Sequence, residues 1–155
     1  MKIIIFRFEK ETINFIECDL HSGNLVTGEK EKIALKSSEN RGEKYNKILD
    51  ELLQIHTKYS PDILMYQSPQ KYRGAIKDEE GFANSAILNL FCYQNSIEMF
   101  ELTPVTIRAK LSIPNKEFKE LLEKTSEIVA DKYSISKTDK VFAGLLFLYL
   151  LKDNL

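Results

Sequence analysis

The side chains best suited to chemistry in this 155-residue sequence are basic, amide or acidic groups near the ends of apolar segments. Lys71-Tyr72-Arg73 sets two cations around a ring, a combination that meets phosphates with charge and an unpaired base by stacking. Asp78, Glu79 and Glu80 follow closely and offset that charge, so a plain solvated loop is the competing reading. Arg108, Lys110 and Lys116 form a second basic group, with Glu117 and Glu120 interleaved. Arg7 and Glu9 stand two residues apart at the end of an apolar run, hence on one face if the strand reaches that far. Arg7 there either pairs with an acid or contacts a phosphate. Gln67 closes another apolar run, and strand ends in open sheets feed the ligand crevice. Asp139 follows Ser136 at the spacing of a capping box, which gives it a purely structural role at a helix start.

Other chemistries are poorly supplied. Cys18 and Cys92 lie far apart in apolar stretches and read as buried free thiols. His21 sits at a turn and His56 follows a helical apolar stripe, so zinc sites and Ser-His-Asp triads have no material. Lys and Arg number 22 against 23 Asp and Glu, a formal charge of −1, which argues against a surface wholly devoted to nucleic acid but allows a local patch. The N-terminal apolar run is too short for a signal peptide, and Val141 to Leu151 is too short to span a membrane. The expectation is a soluble, cytoplasmic protein with no membrane partner.

These groups must be positioned by the elements around them. Ile3 to Phe8 is β-branched and aromatic and predicts a strand; Ile13 to Asp19 predicts a second, and the turn His21-Ser22-Gly23-Asn24 leads to a third, from Leu25 and resuming at Lys32 to Leu35. Tyr45, Ile48, Leu49, Leu52, Leu53, His56 and Tyr59 have helical spacing, with Asn40 or Ser38 as cap and Pro61 as terminator. Ile63 to Tyr66 shows no polar alternation, as befits a strand covered on both faces. A loop from Ser68 to Lys77 precedes a helix opening near Asp78, then a strand Ile97 to Leu102, a short turn around Ile107, and helices from Asn115 to about Tyr133 and from Ser136 to Leu151. The order β-β-β-α-β-α-β-α-α predicts one α/β domain over 1–155: a mixed five-stranded sheet, an antiparallel meander plus two parallel strands, flanked by helices.

That order is the one used by the ribonuclease H-like fold, and the chain resembles the RuvC family of Holliday-junction resolvases over nearly its full length. Tyr59 to Gln67 resembles the family's "Pro-Asp, apolar strand, Glu" segment, and Phe100 to Arg108 resembles its strand followed by Thr-Pro. Asn115-Lys116 sits where the family opens its next helix with a Lys, and Thr138 to Leu145 resembles its final "Asp-Ala-Ala-Asp-Ala-Leu-Ala".

The resemblance implies a nuclease that cuts branched DNA with four acidic residues holding two Mg²⁺ ions, because hard cations need several carboxylate oxygens. It places the first-strand acid at Arg7 or Phe8, the fourth-strand Glu at Gln67, and the last-helix acids at Asp139 and Phe142, with Glu9 as a nearby substitute. Only Asp139 is acidic among the matched positions. The resemblance also implies DNA contacts from the loop holding Lys71, Tyr72 and Arg73, and a homodimer through the helix over about 78–95, whose Phe82, Ile87, Leu88, Leu90 and Phe91 are apolar on more than one side. The leading expectation is a nucleic-acid-binding relative without two-metal hydrolysis and with no cofactor. The runner-up is an active, divergent Mg²⁺-dependent junction endonuclease using Glu9 and Asp139, and a third is a protein-interaction module.

Overall fold

A computed structural model describes residues 1–35, 40–67, 71–72, 75–76 and 79–155, with backbone alone for 71, 72, 75 and 76. Its central strand, β1 (Lys2–Phe8), is apolar on both sides because both sides are covered. β2 (Thr12–His21) and β3 (Asn24–Ala34) continue from it as an antiparallel meander. The turn between them has positive φ at Ser22 and Gly23, the geometry of a two-residue hairpin whose twist matches its strands.

β3 runs unbroken rather than stopping and resuming, and the reason is a bulge. Cys18 pairs with Thr27 and Ile16 with Lys30, so Gly28 and Glu29 together face Glu17. A Cβ on Gly28 would lie 3.3 Å from that of Glu17, so the bare residue fits the crowded side. Beyond the bulge the alternation shifts by one residue. Lys30 and Lys32 thereby share the face of Ile16 and Asn14, while Ile33 turns to the opposite core.

Helix α1 (Arg41–Tyr59) starts on Asn40, whose Oδ1 accepts from the Gly42 N–H at 2.8 Å. Ser38, the other cap considered, lies outside the described residues. α1 ends on Ser60 in the left-handed region, just before Pro61. β4 (Ile63–Gln67) pairs parallel with β1. Two short antiparallel strands, β5 (Lys71–Tyr72) and β6 (Ala75–Ile76), lie in the segment expected to be loop. α2 (Glu79–Gln94) follows, then β7 (Glu98–Leu102), parallel to β4. The sheet order is β3-β2-β1-β4-β7, the mixed five-stranded arrangement expected.

α3 (Pro104–Leu111) is a full helix, with a Thr103/Thr106 capping box, where only a turn was expected. α4 (Asn115–Lys132) and α5 (Phe142–Leu151) complete the chain. The last helix begins six residues later than the expected Ser136. Between them, Thr138 N–H donates to Ser136 Oγ, Asp139 N–H to the Ser136 carbonyl, and Val141 N–H to Asp139 Oδ1. Short polar side chains thus satisfy the backbone locally and hold a turn instead of a helix. Asp139 does not reach back to Ser136 as a capping box would.

Helices cover both faces of the sheet. α1 and α2 bury Ile48, Leu52, Leu88 and Phe91 against Ile4, Phe6 and Phe8. α3, α4 and α5 bury Ile107, Phe118, Val129 and Leu145 against Ile3, Ile5 and Met65. α5 passes so near β1 that a Cβ on Gly144 would lie 2.6 Å from Ile5 Cγ2. Among the described residues no helix is long and apolar enough to cross a membrane.

Candidate functional site

The strand alternation decides which side chains can meet. On β1, Ile3 and Ile5 face α5, so Arg7 lies on that side too; on β4, Ile63 and Met65 face α5 and Gln67 follows them. Across the antiparallel pair, Arg7 opposes Asn14, and Asn14 in turn opposes Lys32 on β3. The turn before α5 brings Asp139 and Lys140 against this end of the sheet. A cleft of about 390 Å³ results, lined by Asn14, Lys30, Glu31 and Lys32 from the strands and by Ser136, Thr138, Asp139 and Lys140 from the turn.

Ion pairs organise the cleft. Lys30 Nζ hydrogen-bonds Asp139 Oδ2, and Lys140 Nζ meets Glu9 Oε1 at 2.8 Å. Glu9 Oε2 also accepts from Thr12 Oγ1 at 3.0 Å and Asn14 Nδ2 at 3.4 Å. Partial burial pushes the Glu9 carboxyl up, but hydrogen bonds from Lys140 and Thr12 and the charges of Lys140 and Arg7 outweigh it and hold the group below its ordinary value. The opposite side of the sheet steadies the same turn: Asn84 Nδ2 donates to the Glu9 carbonyl at 2.9 Å, and Lys44 Nζ to the Lys10 carbonyl at 2.6 Å and Glu80 at 2.7 Å. Glu31 points there as well, bonded by Lys58 and Tyr59.

The expected site residues divide. Glu9 and Asp139 each pair with a lysine, Lys140 and Lys30 respectively, and the charge of Arg7 acts on Glu9. Gln67 ends β4 on the same side of the sheet, partly buried. Phe142, where the resemblance would have the second helix acid, is a ring buried in the α5 core at 6% exposure. Arg108 instead lines a separate shallow groove with Val105, Ala109, Ser112 and Ile113. Lys110 lies over the Phe100 ring at 4.8 Å, and Lys116 is exposed at the start of α4. Lys71 and Tyr72 are placed only as the backbone of β5, and Arg73 lies outside the described residues.

Sequence reasoning missed Lys30, Lys32, Asn14 and Lys140. The first two were hidden because the bulge reverses the alternation of Glu29-Lys30-Glu31-Lys32 relative to the strand's start. Lys140 was visible beside Asp139, and its charge was the signal to weigh. Among the described residues no three His, Cys, Asp or Glu side chains gather closely enough to hold a metal ion. Cys18 and Cys92 are buried free thiols, and burial pushes Cys18 up to about 12, so neither is a ready nucleophile or ligand.

No family model matches the sequence, and no curated protein is similar to it in sequence. Solved structures are similar in shape. Thermus thermophilus RuvC, solved in complex with a Holliday junction substrate, superposes with a TM-score of 0.67 over 97% of this chain and 91% of its own, at 11% identity. The yeast mitochondrial Holliday junction resolvase gives 0.57 over 98% and 80%, also at 11% identity. The fowlpox virus Holliday junction resolvase gives 0.55 over the whole of both chains at 14% identity. The fold is RuvC-like and ribonuclease H-like.

Proposed function

We propose that this chain is a nucleic-acid-binding protein built on a resolvase fold, and that it does not carry out two-metal hydrolysis. The observation that carries this reading is the pairing of the two candidate acids with lysines, Asp139 with Lys30 and Glu9 with Lys140. A pair of Mg²⁺ ions does not fit this donor set. Divalent ions of this kind need clustered carboxylate oxygens, whereas this end of the sheet offers a neutral amide at Gln67, a buried ring at Phe142 and two neutralised acids. A lysine nitrogen about 4 Å from a cation repels it by roughly 4 kcal/mol per unit charge at an effective dielectric near 20. Nucleic-acid binding is supported by the resolvase fold and by the three lysines lining the cleft.

The deciding experiment incubates pure protein with a four-way DNA junction in Mg²⁺ or Mn²⁺ and follows both binding and cleavage. Junction binding that weakens steeply with salt, without strand scission, is the expected result. Robust cleavage abolished by Asp139→Asn would establish the active-nuclease reading instead, and no binding at any salt would leave a protein-interaction role. The same reading pairs two copies through α2, whose Phe82, Leu90 and Tyr93 side chains are exposed on one face.

A further inference from the structure

We infer that Lys30, Lys32 and Lys140 form a metal-independent clamp for the phosphodiester backbone, and that Glu9 and Asp139 are its built-in counterions. The inference rests on the nucleic-acid reading above and adds where and how the backbone is held. It begins with the bulge in β3, which sets Lys30 and Lys32 toward the α5 side and sends Glu31 to the other face, where Lys58 and Tyr59 engage it. The turn ahead of α5 then adds Lys140 from the facing wall.

The layering within each ion pair gives the clamp its direction. In the Lys30–Asp139 pair the lysine side chain is 50% exposed and the carboxylate 17%; in the Lys140–Glu9 pair the values are 58% and 28%. An anion arriving from solvent therefore meets ammonium groups first, with the carboxylates behind them. An ammonium has three N–H donors, so a lysine that bonds one carboxylate keeps donors for a phosphate oxygen. The carboxylates fix where the ammonium groups stand and, by their charge, moderate the grip. Lys32 is exposed and is in no ion pair among the described residues. The lining of the cleft holds three lysines, Lys30, Lys32 and Lys140, and two acids, Glu31 and Asp139, of which Glu31 is already bonded by Lys58 and Tyr59.

The test measures binding of a fluorescent DNA duplex by anisotropy, in EDTA and in Mg²⁺ at matched ionic strength, across a salt series. The triple variant Lys30→Gln, Lys32→Gln, Lys140→Gln removes the charges while leaving amides able to hydrogen-bond Asp139 and Glu9. It should weaken binding roughly tenfold or more and flatten the log–log salt slope by about three. Asp139→Asn, which keeps the Oδ1 acceptor for Val141 N–H, should tighten binding roughly two- to fivefold by removing the counter-charge. Affinity in EDTA should equal that in Mg²⁺. If the triple variant melts early, the single Lys32→Gln variant takes its place with an expected loss of about twofold to fourfold. Binding that requires Mg²⁺, or that is unchanged in the lysine variants, overturns the clamp while nucleic-acid binding stands. A wild-type protein that binds no DNA under any condition overturns the nucleic-acid reading, and the clamp with it.

Discussion

Glu9 shows how one side chain ties two turns together. Its carboxyl joins the β1–β2 turn, through Thr12 and Asn14, to the α5 turn through Lys140. A carboxyl held below its ordinary value of 4.5 contributes stability that is fully present above that value and fades as the pH falls through the lower folded value. Glu31 has the same sign, held low by hydrogen bonds from Lys58 and Tyr59 against a smaller burial penalty. Urea midpoints for the wild type should therefore be flat from neutral pH down to about 4.5 and fall below it. Glu9→Gln, which cannot titrate, should start lower by up to about 1 kcal/mol at neutral pH, the value of a part-exposed pair, and lose less on acidification. A Glu9→Gln curve parallel to the wild type throughout would show that this pair does not couple to folding. Glu9 was legible in the sequence as a residue that would share Arg7's face and as a substitute for the first-strand acid. Its partner Lys140 is 131 positions away, and no local pattern could name it.

The elements divide between those that announce themselves by period and those that depend on a single irregularity. β1, β4 and α1 were readable because each serves one core on one face, or two cores on two, throughout its length. β3 read as broken because the bulge exchanges its inside and outside at Gly28 and Glu29, so a period-two pattern fails midway although the strand does not. The start of α5 was misplaced because Ser136, Thr138 and Asp139 carry helix-start chemistry yet spend it on a separate turn. Helix ends share another irregularity. Ser60, Ser96, Ser112 and Ser134 all have φ between 46° and 54°, the left-handed region where glycine is at home. Each serine carries a steric penalty there, partly balanced by the smaller entropy it loses on folding. Replacing all four with glycine should add about 2 kcal/mol, at roughly 0.5 each for sites far enough apart to be additive. Thermal unfolding should then rise by about 4–8 °C for a chain of this size. A fall in melting temperature would mean that the serine hydroxyls satisfy helix carbonyls that glycine leaves bare.

At the scale of the whole molecule, the two sides of the sheet have different work. α5 and its preceding turn close the lysine-lined cleft on one side, while α1 and α2 cover the other. On α2, Phe82, Ala86, Leu90 and Tyr93 recur at intervals of four, four and three, which places them along one outward stripe. Three of these are large and exposed, Tyr93 to 85%. A net charge of −1 puts little repulsion in the way of self-association. Because α2 and α5 lie on opposite faces, two copies joined through the stripe leave both clefts open, each able to take one arm of a branched nucleic acid. Light scattering at micromolar concentration should accordingly give the mass of a dimer, and Leu90→Asp, a charge placed in the stripe and outside the core, should give a monomer with an unchanged melting profile. The monomer should still bind a simple duplex, since its cleft is intact. It should lose preference for a four-way junction over a duplex, because that preference requires two clefts held in one particle. A wild-type monomer that nevertheless prefers junctions would place the recognition of branching within a single chain.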